Sequence, residues 1–178
     1  MTLEEILVSN SIIESINDNI DFLLEQIPEL KYMMGFSHRN PHHHLDVWNH
    51  TLYALSLSEN NFEIRLCLLL HDIGKPFSYE EGEIRHYYGH ASKSEEISRN
   101  ILKRLNYEET FINEVCYLIK YHDTPISKKD IYDNLELSIK RYKIQVCDAI
   151  AHNPNKLDKR LKYLKKVRNN IKCIKKMN

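Results

Sequence analysis

The stretch "LLLHDIGKP", Leu68 to Pro76, ends an apolar run on a histidine and an aspartate side by side, followed at once by a glycine, a lysine and a proline. Working back from His71, the pattern predicts a helix from Phe62 to Asp72 that Gly74 and Pro76 bring to a stop. A second helical pattern, "LDVWNHTLYALSLS", precedes it across the polar "ENN". If the two helices are antiparallel, His50 lies about 12 Å before the turn and His71 about 13.5 Å beyond it, at roughly 1.5 Å per residue. The two imidazoles come out level. Asp72 lies about 100° around the helix from His71, so a short carboxylate and a longer imidazole can converge on one ion in the groove.

Composition agrees with a helical chain. The 178 residues are 42% hydrophobic, enough for one domain with a sizeable core, and only four glycines and five prolines are present. So few turn residues disfavour a sandwich or barrel, and the expectation is an all-α fold with residues 1–178 forming a single domain. Glu4 and Glu5 stand where an export signal carries basic residues, and no aliphatic run approaches spanning length. Cys67, Cys116, Cys147 and Cys173 are widely spaced in apolar helical contexts, the pattern of reduced, buried thiols. A cytoplasmic protein without membrane contact is expected.

Further helices are predicted over 11–27, 91–105, 108–122, 137–152 and 155–176, with a loop at "GFSHRNPHHHLD" and a connection, bearing a short hairpin near Gly82, at "SYEEGEIRHYYGH". Charge is uneven: residues 1–30 hold seven acidic side chains and no Lys or Arg, whereas residues 155–178 hold ten Lys or Arg and one Asp. Either the two ends lie against each other or one meets a partner.

Asp148, set between Val146, Cys147, Ala149 and Ile150, needs a compensating partner, because an unpaired buried carboxylate costs several kcal/mol. That partner is a nearby Lys or Arg, or a metal. His50, His71-Asp72 and Asp148 together resemble the H…HD…D pattern of the HD superfamily of metal-dependent phosphohydrolases. The ordered blocks "NPHHHLDVWNHT", "LLLHDIGKP", "HYYGHASKS" and "IKYHD" look like the HD domain of bacterial CCA-adding tRNA nucleotidyltransferases, over a core of about residues 36–152. The nucleotidyltransferase motifs do not precede it, which suggests a stand-alone HD protein.

The resemblance implies that His50, His71, Asp72 and Asp148 hold a divalent ion. Their mixed imidazole and carboxylate character suits Mn, Fe, Co, Ni or Zn better than Mg. His90 and His122 occupy positions comparable to the extra histidines of two-metal HD proteins, so either they join Asp72 around a second ion or they contact substrate phosphate beside a single one. Lys75 is a candidate phosphate contact. Asp123 is a candidate for orienting the His122 ring. One of His42, His43 and His44 is expected at the mouth of the site with Arg39, and His86 is expected to be a loop-exposed residue.

A divalent ion activates water and polarises a phosphoryl oxygen, so Asp72, Lys75, His90 and His122 are the expected catalytic group of a phosphodiesterase or phosphomonoesterase acting on a nucleotide or other small phosphoester. No G-x-S-x-G and no G-x-x-x-x-G-K-[ST] motif competes with that reading. The alternative is an RNA-associated binding module that uses the cationic helix bearing Lys159, Arg160, Lys162, Lys165, Lys166, Arg168, Lys172, Lys175 and Lys176. Its apolar stripe, Leu161, Leu164, Val167 and Ile171, is expected to dock on the body of the protein, with the acidic N-terminal helix as one possible partner.

Overall fold

A computed structural model describes residues 2–176. Among these residues ten α-helices succeed one another: α1 (Leu3–Leu7), α2 (Ile12–Asp18), α3 (Ile20–Gln26), α4 (Val47–Ser56), α5 (Phe62–Leu70), α6 (His90–Arg104), α7 (Glu109–Lys120), α8 (Lys128–Asp133), α9 (Leu135–Ile150) and α10 (Asp158–Lys175). Among the described residues there is no strand; two isolated antiparallel bridges, Ser37 with Asp46 and Glu80 with His86, occur in the connections. The fold is all-α.

Helix α5 is the axis. Asn61 caps it by accepting from the Ile64 amide at 3.0 Å, and every residue from Ile64 to Leu70 is buried, the mark of a helix surrounded by others. It packs against α1, α4, α7 and α9. Each fully buried Leu or Ile there contributes roughly 1.5–3 kcal/mol relative to exposure. The charged residue within that buried run, Arg65, is 4% exposed and donates to the carbonyls of Leu7 and Ser9 at 2.6 and 2.7 Å, so it satisfies the backbone at the end of α1.

The structure corrects several expectations. The helix expected over 11–27 breaks at Asn19, whose side-chain Nδ2 donates to the Ser15 carbonyl at 2.8 Å and satisfies an acceptor freed by the break. Helix α5 ends at Leu70, and His71 to Gly74 form a turn before a 3-10 segment at Lys75–Phe77. The six-residue α8, capped by a Ser127 and Asp130 capping box, was not expected, because it buries only Ile131 and has no periodicity to read.

Among the described residues the two charged ends pack on different elements: α10 packs on α8 and α9, where Val167, Ile171 and Ile174 meet Ile126 and Ile131, while α1 and α2 pack on α5 and α4. Leu161 lies outside that seam and is 43% exposed; Ile174 completes the stripe instead. Cys67, Cys116 and Cys147 are free and buried, but Cys173 faces solvent because it lies on the outer side of α10. Among the described residues no helix is long and apolar enough to cross a membrane.

Candidate metal centre

Five segments bring the singled-out residues to one place. His50 comes from α4, which Asp46 caps by accepting from the Asn49 amide at 2.7 Å. His71 and Asp72 come from the turn after α5, His90 begins α6, His122 follows α7, and Asp148 lies in the last turn of α9. His50, His71 and Asp72 are at most 1% exposed, and His122 and Asp148 are 2% and 3% exposed.

Asp72 lies at the middle. Its Oδ2 is 3.3 Å from His71 Nε2 and 3.7 Å from His50 Nε2, while its Oδ1 is 3.6 Å from His90 Nε2 and 3.9 Å from His122 Nε2. Asp148 closes the inner side, with Oδ1 3.0 Å from His50 Nε2 and 3.5 Å from His71 Nε2. His90 and His122 face each other through their Nε2 atoms at 3.4 Å.

The other ring nitrogens explain the orientation. Nδ1 lies 3.2 Å from the Ala151 carbonyl in His50, 2.7 Å from Leu68 in His71, 2.9 Å from Tyr87 in His90 and 2.7 Å from Ile119 in His122. A carbonyl can only accept, so each ring donates through Nδ1 and, when neutral, presents a bare Nε2 lone pair. Lone pairs and carboxylate oxygens from all sides therefore face one another. His71 Nε2 and Asp72 Oδ1 are buried without any hydrogen-bond partner. Such an acceptor-only nest needs a cation or a captured proton. The residues present fit a divalent metal, and the groups His50, His71, Asp72 and Asp72, His90, His122 could each supply ligand atoms around one point, with Asp72 common to both.

Electrostatics follow the same geometry. Burial disfavours charge on His71, but Asp72 and then Asp148 outweigh it and raise its pKa to about 10, so the surroundings of its Nε2 favour positive charge. Burial opposes ionisation of Asp72 and Asp148 too. His71 and Lys75 nevertheless hold Asp72 far below the carboxylate range, and His152 and Arg160 do so for Asp148. Burial, then the positive charge on His71, lowers His122 to about 4.

Lys75 is buried. Its ammonium donates to Asp72 Oδ2 at 2.7 Å and to His38 Nε2 at 3.1 Å, and it also lines the cavity of about 290 Å³ above the centre. Asp123 does not orient His122, whose ring the Ile119 carbonyl holds; it is exposed and 3.8 Å from His90 Nε2. Of the three consecutive histidines, His43 lines the cavity, stacked on His38 with ring centroids 3.7 Å apart, while His42 and His44 are exposed. Arg39 does not line that cavity: its guanidinium pairs with Glu81 and donates to the Gly82 carbonyl. His86 is exposed and stacks on Tyr88.

Three participants escaped sequence reasoning. His38 reaches the centre because its loop is tied to the 80–88 connection, where Tyr87 donates to its carbonyl at 2.7 Å. His152, four residues after Asp148, donates through Nδ1 to the Asp148 carbonyl at 2.7 Å; that i, i+4 spacing was the available signal. Arg160 extends from α10 to Asp148 Oδ2 and donates to His152 Nε2 at 3.1 Å. Nothing in its sequence surroundings separated it from the other cations of that helix.

This arrangement belongs to a known class. The family model described as "HD domain" matches residues 42–169, more than half of the chain, and the chain belongs to that family. Curated relatives include a CC-adding tRNA nucleotidyltransferase of Thermus thermophilus, 34% identical over 114 residues, which are 59% of this chain and 26% of the relative. An A-adding tRNA nucleotidyltransferase of Deinococcus radiodurans is 29% identical over 113 residues, 58% of this chain and 26% of the relative. The chain thus matches about a quarter of the length of each of these relatives.

Proposed function

We propose that this chain is a metal-dependent phosphohydrolase acting on a nucleotide or another small phosphoester, in which His50, His71, Asp72 and Asp148 hold a divalent cation and His90 and His122 share Asp72 around a second. The observation that carries this reading is the convergence of four Nδ1-anchored histidines and two carboxylates with His71 Nε2 and Asp72 Oδ1 left unpaired. A bound divalent ion supplies Lewis acidity towards a phosphoryl oxygen and lowers the pKa of coordinated water.

The protein's own groups prepare the site. The backbone carbonyls fix each imidazole tautomer, so the Nε2 lone pairs need no reorganisation. Lys75 keeps Asp72 ionised and places positive charge on the cavity floor. Arg160 steadies the second oxygen of Asp148. Beside the centre, a second cavity of about 410 Å³ is lined by Tyr87, Tyr88 and Tyr121, whose rings offer stacking surface to a base; this favours a nucleotide over a simple phosphomonoester.

The test is a screen of nucleoside monophosphates, cyclic nucleotides, dinucleoside polyphosphates and generic phosphoesters against protein reconstituted separately with Mn, Fe, Co, Ni and Zn. Turnover that a chelator abolishes and the metal restores is expected. No turnover on any substrate with any metal overturns the assignment.

A second reading is favoured by the outer face of α10, where Lys162, Lys165, Lys166 and Lys172 are exposed, and by relatives whose names place them on tRNA. In it the chain is an RNA-associated module. Salt-sensitive RNA binding that survives loss of His71 and Asp148, with no hydrolysis in the screen, would establish it.

A further inference from the structure

A third cavity, of about 380 Å³, opens beneath the start of α10 and shares Arg160 and Asp123 with the cavity above the centre. Lys156, Lys159 and Arg160 line it, against one carboxylate, Asp123. Arg160 is already engaged by Asp148 and His152, but the ammonium groups of Lys156 and Lys159 have no hydrogen-bond or ion-pair partner among the described residues.

The cavity's walls are fixed. The amide of Asn153 donates to the His42 carbonyl at 2.8 Å and its side chain donates to the Pro41 carbonyl at 3.1 Å, which pins the turn carrying Lys156 to the loop carrying His43. On the other side Tyr163 accepts from the Ile126 amide at 2.7 Å and donates to Gln145 Oε1 at 2.9 Å. Two free cations are thus positioned on a concave surface one guanidinium away from the centre. That is a receptor for a compact anion with several acceptor oxygens.

We propose that this cavity is a subsite for a second phosphate of the substrate, held by Lys156 and Lys159 and joined to the centre through Arg160. It rests on the phosphohydrolase reading, which places the first phosphate at the centre, and it narrows the substrate class to molecules with two or more phosphates. A nucleoside diphosphate and a 5′-phosphorylated dinucleotide share that chemistry.

The test is calorimetric binding to the full metal-loaded chain, with metal content measured before and after. Methylenediphosphonate, which has no anhydride bond to hydrolyse, serves as the two-phosphate probe and inorganic phosphate as the one-phosphate probe. Lys156→Ala with Lys159→Ala should weaken methylenediphosphonate by about tenfold and leave inorganic phosphate within about twofold. Lys165→Ala with Lys166→Ala removes the same charge away from the cavity and should change neither.

The proposal is overturned if the cavity variant binds methylenediphosphonate like wild type, or if both double variants weaken it equally, since that reports only the overall field. Competition against the probe identifies the source. The stronger competitor, nucleoside diphosphate or phosphorylated dinucleotide, names the linkage between the phosphates, and competition by neither overturns the subsite. Because binding is read without turnover, absence of hydrolysis in the substrate screen would remove the enzymatic reading and leave this result standing.

Discussion

The two sides of Asp72 are built from the same parts and differ in enclosure. On the inner side His50 and His71 have completely buried side chains and face two carboxylates, Asp72 and Asp148. On the outer side the His90 side chain is 15% exposed, His122 faces the cavity, and Asp72 is the one buried carboxylate both histidines approach. An ion attracted by two ionised carboxylates in a low-dielectric pocket is bound more tightly than one attracted by a shared carboxylate at the edge of solvent. If both sides hold ions as proposed, the inner one is expected to be retained more strongly, although Lys75 and Arg160 offset part of that carboxylate charge.

The largest expected effect comes from breaking the inner side. His71→Ala or Asp148→Ala should abolish both metal retention and hydrolysis, whereas His90→Ala or His122→Ala should cost one metal equivalent and leave the other in place. Metal analysis of the purified variants checks this, and equal loss from the two sides would end the distinction. If the outer variants keep full metal content but raise KM, His90 and His122 are phosphate contacts instead.

Asp72→Asn acts on both sides at once. It preserves shape and removes the charge the two histidine pairs share, so kcat should fall by at least about 10²-fold, or ~2.7 kcal/mol of barrier, with substrate binding much less affected. Near wild-type turnover on every substrate would show that Asp72 has no place in the chemistry.

The two sides were not equally legible in the sequence. The inner side follows in part from helix geometry: an apolar run leading into His-Asp and a level histidine on the preceding helix point to His50, His71 and Asp72, although the last two lie in the turn after the run. Asp148 was visible because a carboxylate among apolar neighbours demands compensation. The outer side and the rim depend on how loops close. His38 and His43 arrive through contacts between segments 45 to 49 residues apart in sequence, which no periodicity encodes, and Arg160 arrives because α10 docks on α8 and α9. The break at Asn19 and the short α8 were unreadable for a related reason: local hydrogen bonds, not hydrophobic spacing, decide them.

Gly74 joins the two sides. Its amide donates to Ser94 Oγ at 2.9 Å, and a Cβ at that position would lie 2.5 Å from the Ser94 nitrogen and 2.6 Å from the His90 carbonyl oxygen, both backbone atoms of α6. Helix α6 would have to move away from the His-Asp turn and take His90 with it. Gly74→Ala should cost about 1–3 kcal/mol of stability, measured by denaturant unfolding, and should release the outer metal equivalent before the inner one. Unchanged stability would mean that α6 is not held as closely as this contact requires.

The smallest expected effect is at Asp123, and it sharpens the boundary of the outer side. Its carboxylate is 44% exposed and 3.8 Å from His90 Nε2, beyond hydrogen-bond distance, while the His122 ring is held by the Ile119 carbonyl at 2.7 Å. An exposed carboxylate at that separation contributes little to a neighbour because water and salt screen it. Asp123→Asn should therefore change stability by less than about 0.5 kcal/mol and leave both metal equivalents in place. Loss of the outer equivalent to the extent seen with His90→Ala would make Asp123 a ligand, giving the outer side two carboxylates of its own and removing the physical basis for ranking it as the weaker one.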